Sequence, residues 1–235
     1  MTTLTTTAAT TGTAWLTQLR LNTRNRATLR DLRNGNQLHR TLMRLVPDGL
    51  GDQARAAGGL LYRLEEADTG ITVLAQTRQQ PLIDRIDPGY ARVAVKDMAG
   101  FLARLHEGLH IQYRIAANAV VQYGSLADRE RARTRLKLDR LPPARRALTG
   151  EDADDWWYTR AARNGLNIHT LAPSTGPSID VVREHQGRDV AHRHAITVFQ
   201  GDATITDPDM VRAAILNGIG RGRSFGAGLL SLAPT

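Results

Sequence analysis

Cysteine is absent from the 235 residues, which excludes disulfides, thiolate metal sites and cysteine nucleophiles together. Aromatic residues make up only 5%, too few for a binding face built mainly of stacked rings. Lysine is nearly missing: of 31 basic residues only Lys96 and Lys137 are lysines, the kind of arginine bias that GC-rich coding produces. No apolar run approaches the roughly 18 residues that a bilayer span needs. Residues 1–13 are rich in Thr and Ala and lack both a basic n-region and an apolar h-region. They read as a disordered lead-in rather than a signal peptide. Together these absences point to a cytoplasmic chain with no membrane partner.

What is present is enough apolar material, 41%, to build a core in one large domain or two small ones. The formal charge of +8 favours a polyanionic partner. A strand-like run covers 14–22, with Trp15, Leu19 and Leu21 as its apolar marks. Helical spacing starts near Arg26, weakens at Asn34-Gly35, resumes over 36–46 with Leu38, Leu42 and Leu45, and stops at Pro47-Asp48-Gly49. Residues 59–65 and 71–77 read as strands joined by Asp68-Thr69-Gly70, 96–106 as a helix and 110–116 as a strand. This β-α-β-β-α-β order is the ferredoxin-like signature.

A second copy of that order follows. Residues 131–138 alternate like a strand. The pattern predicts a helix over 151–164, N-capped by Thr149, with acids in its first turn and Gly165 at its end. Residues 179–184 and 195–200 are strand candidates, with turns at Gln186-Gly187 and Gly201-Asp202. Asp207-Pro208 then opens a helix that carries Val211 and Ile215 inward to Asn217-Gly218, and 229–232 form the last strand. The expected architecture is α+β: two tandem ferredoxin-like (RRM-like) βαββαβ domains over 14–120 and 121–235, divided near 118–128.

Three stretches can carry chemistry. In the tail, Gly218, Gly220, Gly222, Gly226 and Gly228 surround Arg221, Arg223, Ser224 and Phe225. Either backbone N–H groups and arginines cradle a phosphate here, or the segment is a long turn before the last strand. If 131–138 is a strand, Arg131, Arg133, Arg135 and Lys137 share one face at roughly 6.6 Å intervals, comparable to phosphate spacing along a nucleic acid. The alternative is a solvated edge strand guarded by charge; the lack of an acid on that face favours backbone binding. His39 borders the apolar stripe of its helix beside Arg40 and Arg44. Taken alone it suits a structural histidine, although its pKa also suits acid–base work on a phosphodiester.

Other clusters read as structural. Glu151, Asp152, Asp154 and Asp155 stabilise a helix start, and Trp156 and Trp157 belong to the core. His192 and His194 share a strand face but lack a third ligand, and His106, His110, His169 and His185 have no patterned partners. No Walker lysine follows the glycines, and they do not follow a strand as a dinucleotide fingerprint requires. No metal and no cofactor is expected.

At Trp15-Leu16-Thr17 with Leu21-Asn22, Arg30-Asp31-Leu32, Leu38-His39-Arg40-Thr41-Leu42, Leu60-Leu61-Tyr62-Arg63-Leu64-Glu65, Tyr113-Arg114 with Ala117-Asn118, and the tail over 218–234, the chain resembles the CasE family. These are the repeat-RNA endoribonucleases of type I-E CRISPR systems. The resemblance implies metal-independent cleavage of CRISPR precursor RNA beside a repeat hairpin. The 2′-hydroxyl attacks the phosphate and leaves a 2′,3′-cyclic phosphate and a 5′-hydroxyl.

It places the catalytic histidine at His39, in the N-terminal domain. A tyrosine that assists catalysis in the family has Asn36 at its position, and asparagine cannot transfer a proton as a phenol can. RNA backbone would be held by Arg40, Arg131, Arg133, Arg135, Lys137, Gly220, Arg221, Gly222, Arg223 and Ser224. Arginine, in place of a metal, would stabilise the pentacoordinate phosphorane. The implied partners are the repeat hairpin, as precursor and as mature crRNA, and the other Cascade subunits, the protein being a monomer outside that complex. Two other readings are a non-catalytic crRNA-binding subunit of the same complex and a protein-interaction scaffold.

Overall fold

A computed structural model of the chain describes residues 12–177 and 195–235, and the backbone of 180–185 and 188–193 between them. Strand β1 (Trp15–Leu21) buries Thr17, Leu19 and Leu21 on one face, as a two-residue period requires. Helix α1 (Arg26–Leu32) starts where the Asn25 side chain accepts from the backbone N–H groups of Ala27 and Thr28. Asn34 restarts the chain as α2 (Gly35–Met43) by accepting from the Asn36 N–H, so the predicted weak point is a break between two capped helices. α2 buries Leu38, Thr41 and Leu42. After the short α3 (Ala54–Ala57) come the hairpin β2 (Leu61–Ala67) and β3 (Gly70–Thr77), then β4 (Ala91–Asp97). The sheet order β2-β3-β1-β4, antiparallel throughout, is that of a ferredoxin-like unit.

The closing strand of this sheet corrects the sequence reading. The helix expected over 96–106 shrinks to α4 (Ala99–Ala103), and the first sheet closes with β4. Strand β5 (His110–Ala117), expected to close it, pairs instead with strands of a second sheet. The sheets therefore divide between Asp97 and His110, not near 118–128.

The second sheet is built from β5, β8 (Leu166–Ile168), β12 (Thr197–Ile205) and β13 (Leu230–Pro234), in the order β13-β5-β12-β8. That is again fourth-first-third-second, the ferredoxin-like order. Between β5 and β8 lie the paired short strands β6 (Val120–Gln122) and β7 (Arg145–Ala147), with α5 (Leu126–Arg135) and α6 (Glu151–Ala162). β9 (Ala172–Thr175) pairs with β12, and β10 (Asp180–His185) with β11 (Arg188–Arg193). Of the strand expected over 131–138, residues 131–135 are instead helical, in α5. Ser125 caps it by accepting from the Asp128 N–H, Ala132 is its buried residue, and Arg131–Asp128 and Arg133–Glu130 are i,i+3 ion pairs. Residues two apart on a helix point about 200° from one another, so Arg131, Arg133 and Arg135 form no row. Lys137 leaves the helix with φ +50°.

Two smaller corrections follow. Gly150, with φ +55°, stands at the N-cap of α6 in place of Thr149, and no side chain caps it. The turn expected at Gly201-Asp202 is mid-strand: β12 runs through it, pairing with β9 before and β8 after. Of the strand expected over 179–184, residues 180–184 fall in β10; position 179, the Gln186-Gly187 turn and residues 1–11 of the lead-in lie outside the described residues. In the second core α6 buries Ala153, Trp157 and Ala161, with Trp157 stacked on Phe199 at 5.7 Å. Asp207 and Pro208 open α7 (Pro208–Asn217) as expected, and it buries Val211, Ala214 and Ile215.

The buried carboxylate of Asp31 positions α2. It accepts from Thr41 Oγ1 at 2.5 Å and from the Tyr90 hydroxyl at 3.0 Å, and it pairs with the exposed Arg30 at 2.8 Å. Burial, with Asp31 second, pushes the Tyr90 pKa well above the usual phenol range. Asp31→Ala strands two buried hydroxyls and should cost about 2–3 kcal/mol of unfolding free energy in a urea titration. Leu29→Ala, on the exposed side of α1, should stay within about 0.5 kcal/mol.

Candidate active site and nucleic-acid interface

His39 lies half-buried on α2, the helix that packs against the 3-10 turn Arg223–Phe225 and strand β10. Folding thus brings the histidine's helix and the tail together. His39 Nδ1 is buried and has no hydrogen-bond partner among the described residues. A buried polar atom left unpaired costs stability, and such atoms concentrate where function needs them. Burial, and secondarily the charge of Arg55, lower the His39 pKa below its ordinary value. The imidazole is therefore neutral at pH 7 and able to accept a proton.

The tail reaches α2 through a tightly folded loop. Gly218 has φ +73°, and a Cβ there would meet Leu61 Cδ2 at 2.8 Å and the Gly228 carbonyl at 3.0 Å. Only glycine fits that approach without displacing its neighbours. The Ile219 N–H donates to the Gly228 carbonyl, the Gly228 N–H to Ala116, and the Phe225 N–H to Gly222. The Tyr62 hydroxyl donates to the Ser224 carbonyl at 2.9 Å, and burial raises its pKa far above the usual phenol value. Tyr62 therefore holds the loop and is not poised to exchange a proton.

Arginines gather beside this turn. Arg223 donates from Nε to the Gly220 carbonyl and from Nη1 to the Asn217 carbonyl, closing the end of α7. Arg55, Arg78 and Arg223 line a cavity of about 50 Å³ with Asn217. Burial, then the nearby Arg223, lower the Arg55 pKa. Three guanidinium groups around a small recess, with the charge of Arg55 also felt by His39, suit an anion of phosphate size. Neither Arg55 nor Arg78 was found in the sequence: one sits in a single turn of alanine-rich helix, the other just past β3, and folding alone unites them.

The predicted residues divide accordingly. Asn36 sits in the first turn of α2, and Arg40 is exposed one residue past His39. The helix of His39 packs against the turn that carries Arg223 and Ser224. Arg131 and Arg133 are engaged in ion pairs on α5, and Lys137 lies beyond its end. Arg135 and Arg221 line a different cavity. His110 and His169, which had no pattern in the sequence, stack at 5.9 Å on the second sheet, with Thr204 Oγ1 2.6 Å from His169 Nε2. His194 and the side chain of His192 lie outside the described residues. Among the described residues no helix is long and apolar enough to cross a membrane.

Comparison with known proteins finds relatives over nearly the whole chain. The sequence model of the family described as CRISPR associated protein matches residues 14–234. The CRISPR-associated endoribonuclease Cse3 of Thermus thermophilus is 30% identical over 233 residues, spanning 94% of this chain and 100% of its own. The CRISPR system Cascade subunit CasE of Escherichia coli is 28% identical over 211 residues, spanning 89% and 95%. A solved structure of the CRISPR endoribonuclease Cse3 bound to a 19-nucleotide RNA superimposes with a TM-score of 0.78 at 28% identity, covering 95% of this chain and 100% of that one.

If the Tyr62 hydroxyl anchors the loop, Tyr62→Phe should lower stability by about 1 kcal/mol. It should also speed amide exchange at the Arg223–Phe225 turn. Unchanged exchange there would show that other contacts hold the turn.

Proposed function

The chain belongs to the CRISPR-associated protein family, and from that premise we propose that it is the endoribonuclease that matures CRISPR repeat RNA and stays with the product in Cascade. The relatives it matches are named as a CRISPR endoribonuclease and as a Cascade subunit. Its work is in the cytoplasm, and it is a monomer outside the complex. The observation that carries the reading is the half-buried His39, its Nδ1 unpaired among the described residues, on the helix that packs against the arginine-bearing turn.

In the proposed reaction His39 takes the proton of the 2′-hydroxyl just upstream of the cut. The 2′-oxygen attacks phosphorus, the bond to the 5′-oxygen breaks, and a 2′,3′-cyclic phosphate remains. Arg55 and Arg223 face the charge that develops on the phosphorane, the role a metal plays elsewhere. The leaving oxygen takes its proton from solvent, because Asn36 holds no acidic proton and Tyr62 is committed to Ser224. Asn36 also supports a second reading, an RNA-binding subunit that does not cut; it requires tight hairpin binding with no product.

Two experiments test the chemistry. Labelled repeat RNA should be cut in EDTA, and a 2′-deoxy nucleotide upstream of the cut should stop cleavage; cutting of the deoxy substrate would remove the mechanism. A base must be unprotonated, so kcat/KM should fall as pH drops through the lowered pKa of His39, below the ordinary value of about 6.5. Arg55→Gln removes a charge that depresses that pKa, so its acid limb should move to higher pH. An unmoved limb would separate Arg55 from His39.

A further inference from the structure

A second basic cavity, of about 510 Å³, lies on the other side of the glycine-rich loop. Arg135 of α5, Arg146 of β7, Arg160 and Arg163 of α6, and Arg221 of the loop converge on it, with Trp156 in its wall. Five guanidinium groups face two carboxylates, and one of those, Asp152, is paired with Arg146 at 2.9 Å. Arg135, Arg163 and Arg221 have no side-chain hydrogen bond or ion pair among the described residues. Like charges held together this way raise the free energy of the unbound protein and lower it when a polyanion enters.

The lining is also suited to a base. Arg160 lies over the Trp156 ring, 5.7 Å from its centroid, and that ring is only half buried. A base can stack on a guanidinium plane or an indole. Asp155 in the wall offers an acceptor to the N–H groups of a base, whereas it would repel an acidic peptide. The position matters as well. Arg221 lines this cavity and Arg223 lines the recess of Arg55 and Arg78, two residues and so at most roughly 7 Å of chain apart. That is about one step of a nucleic-acid backbone, so a single strand could pass from one to the other.

We propose that this cavity is a second RNA site that takes a single-stranded segment flanking the hairpin, with phosphates on Arg135, Arg163 and Arg221 and a base against the Arg160–Trp156 pair. It rests on the reading of the protein as a repeat-RNA endoribonuclease, and its test separates the two. Affinities are measured by fluorescence anisotropy for the bare hairpin and for the hairpin with its single-stranded flank, using wild type and the double variant Arg135→Gln/Arg163→Gln. Both arginines are exposed, so the fold should survive, and circular dichroism checks it.

Wild type should favour the flanked RNA on the order of 10-fold, and the variant should bring that ratio near one. The salt slope for flanked RNA should fall by about 1.4, at roughly 0.7 per single-strand phosphate. A wild-type ratio of one, an intact ratio in the variant, or equal loss for both RNAs would overturn the site. Failure of wild type to bind either RNA would overturn the RNA reading itself.

Discussion

Two neighbouring side chains on β2, Tyr62 and Arg63, hold the tail to the first sheet from opposite faces, and the site depends on that grip. Successive strand residues point to opposite sides. Tyr62 reaches under the loop to the Ser224 carbonyl. Arg63, buried, donates to the carbonyls of Arg114 and Leu229, to Ser231 Oγ, and to Glu65 at 2.7 Å. Burying a guanidinium costs several kcal/mol unless its donors are met. Here they are met by β5, by Leu229 and Ser231 at the start of β13, and by Glu65 on its own strand, so the charge works as a joint between the sheets. Gln76 adds a bond from β3 to the Ile215 carbonyl, and Arg78 one to Asn217 at 2.6 Å.

With the loop held there, its two arginines diverge in role. Arg223 is tied to backbone carbonyls and, with Arg55 and Arg78, makes the recess near His39. Arg221 faces the larger arginine cavity. Burial keeps His39 neutral, and the Asp31 carboxylate holds the histidine's helix through Thr41, two residues along. The site is assembled from α2, α3 and the end of β3 in the first unit and the last loop of the second.

What could be read in advance was what local chemistry dictates. Asn34, Asp207-Pro208 and the glycines act on their own neighbourhoods, so α2, α7 and the tail loop were legible. His39, Arg223 and Ser224 could be proposed from the sequence, but not the packing of α2 against the turn that carries the latter two. Residues 131–138 failed because the alternation of arginine with other residues there fits a strand, while Ala132 and Leu136, four apart, fit a helix equally well. The Ser125 cap, with Asp128 three residues on, was the local signal that would have decided it. Strand β5 was recognised as a strand but placed in the wrong sheet, since pairing with β12 and β13 is decided by residues some 80 or more positions away. Arg55 and Arg78 share no pattern in the sequence, and only the folded chain unites them with Arg223 at the recess.

The central claim, that His39 makes the cut while the loop and arginines hold the RNA, is tested most directly by single-turnover cleavage and binding of repeat RNA by His39→Ala. The prediction is that cleavage is lost, by at least about 100-fold as for removal of a general base, while RNA affinity stays within a few-fold of wild type. A variant that still cuts at the wild-type rate, or one that loses binding along with cleavage, would contradict it.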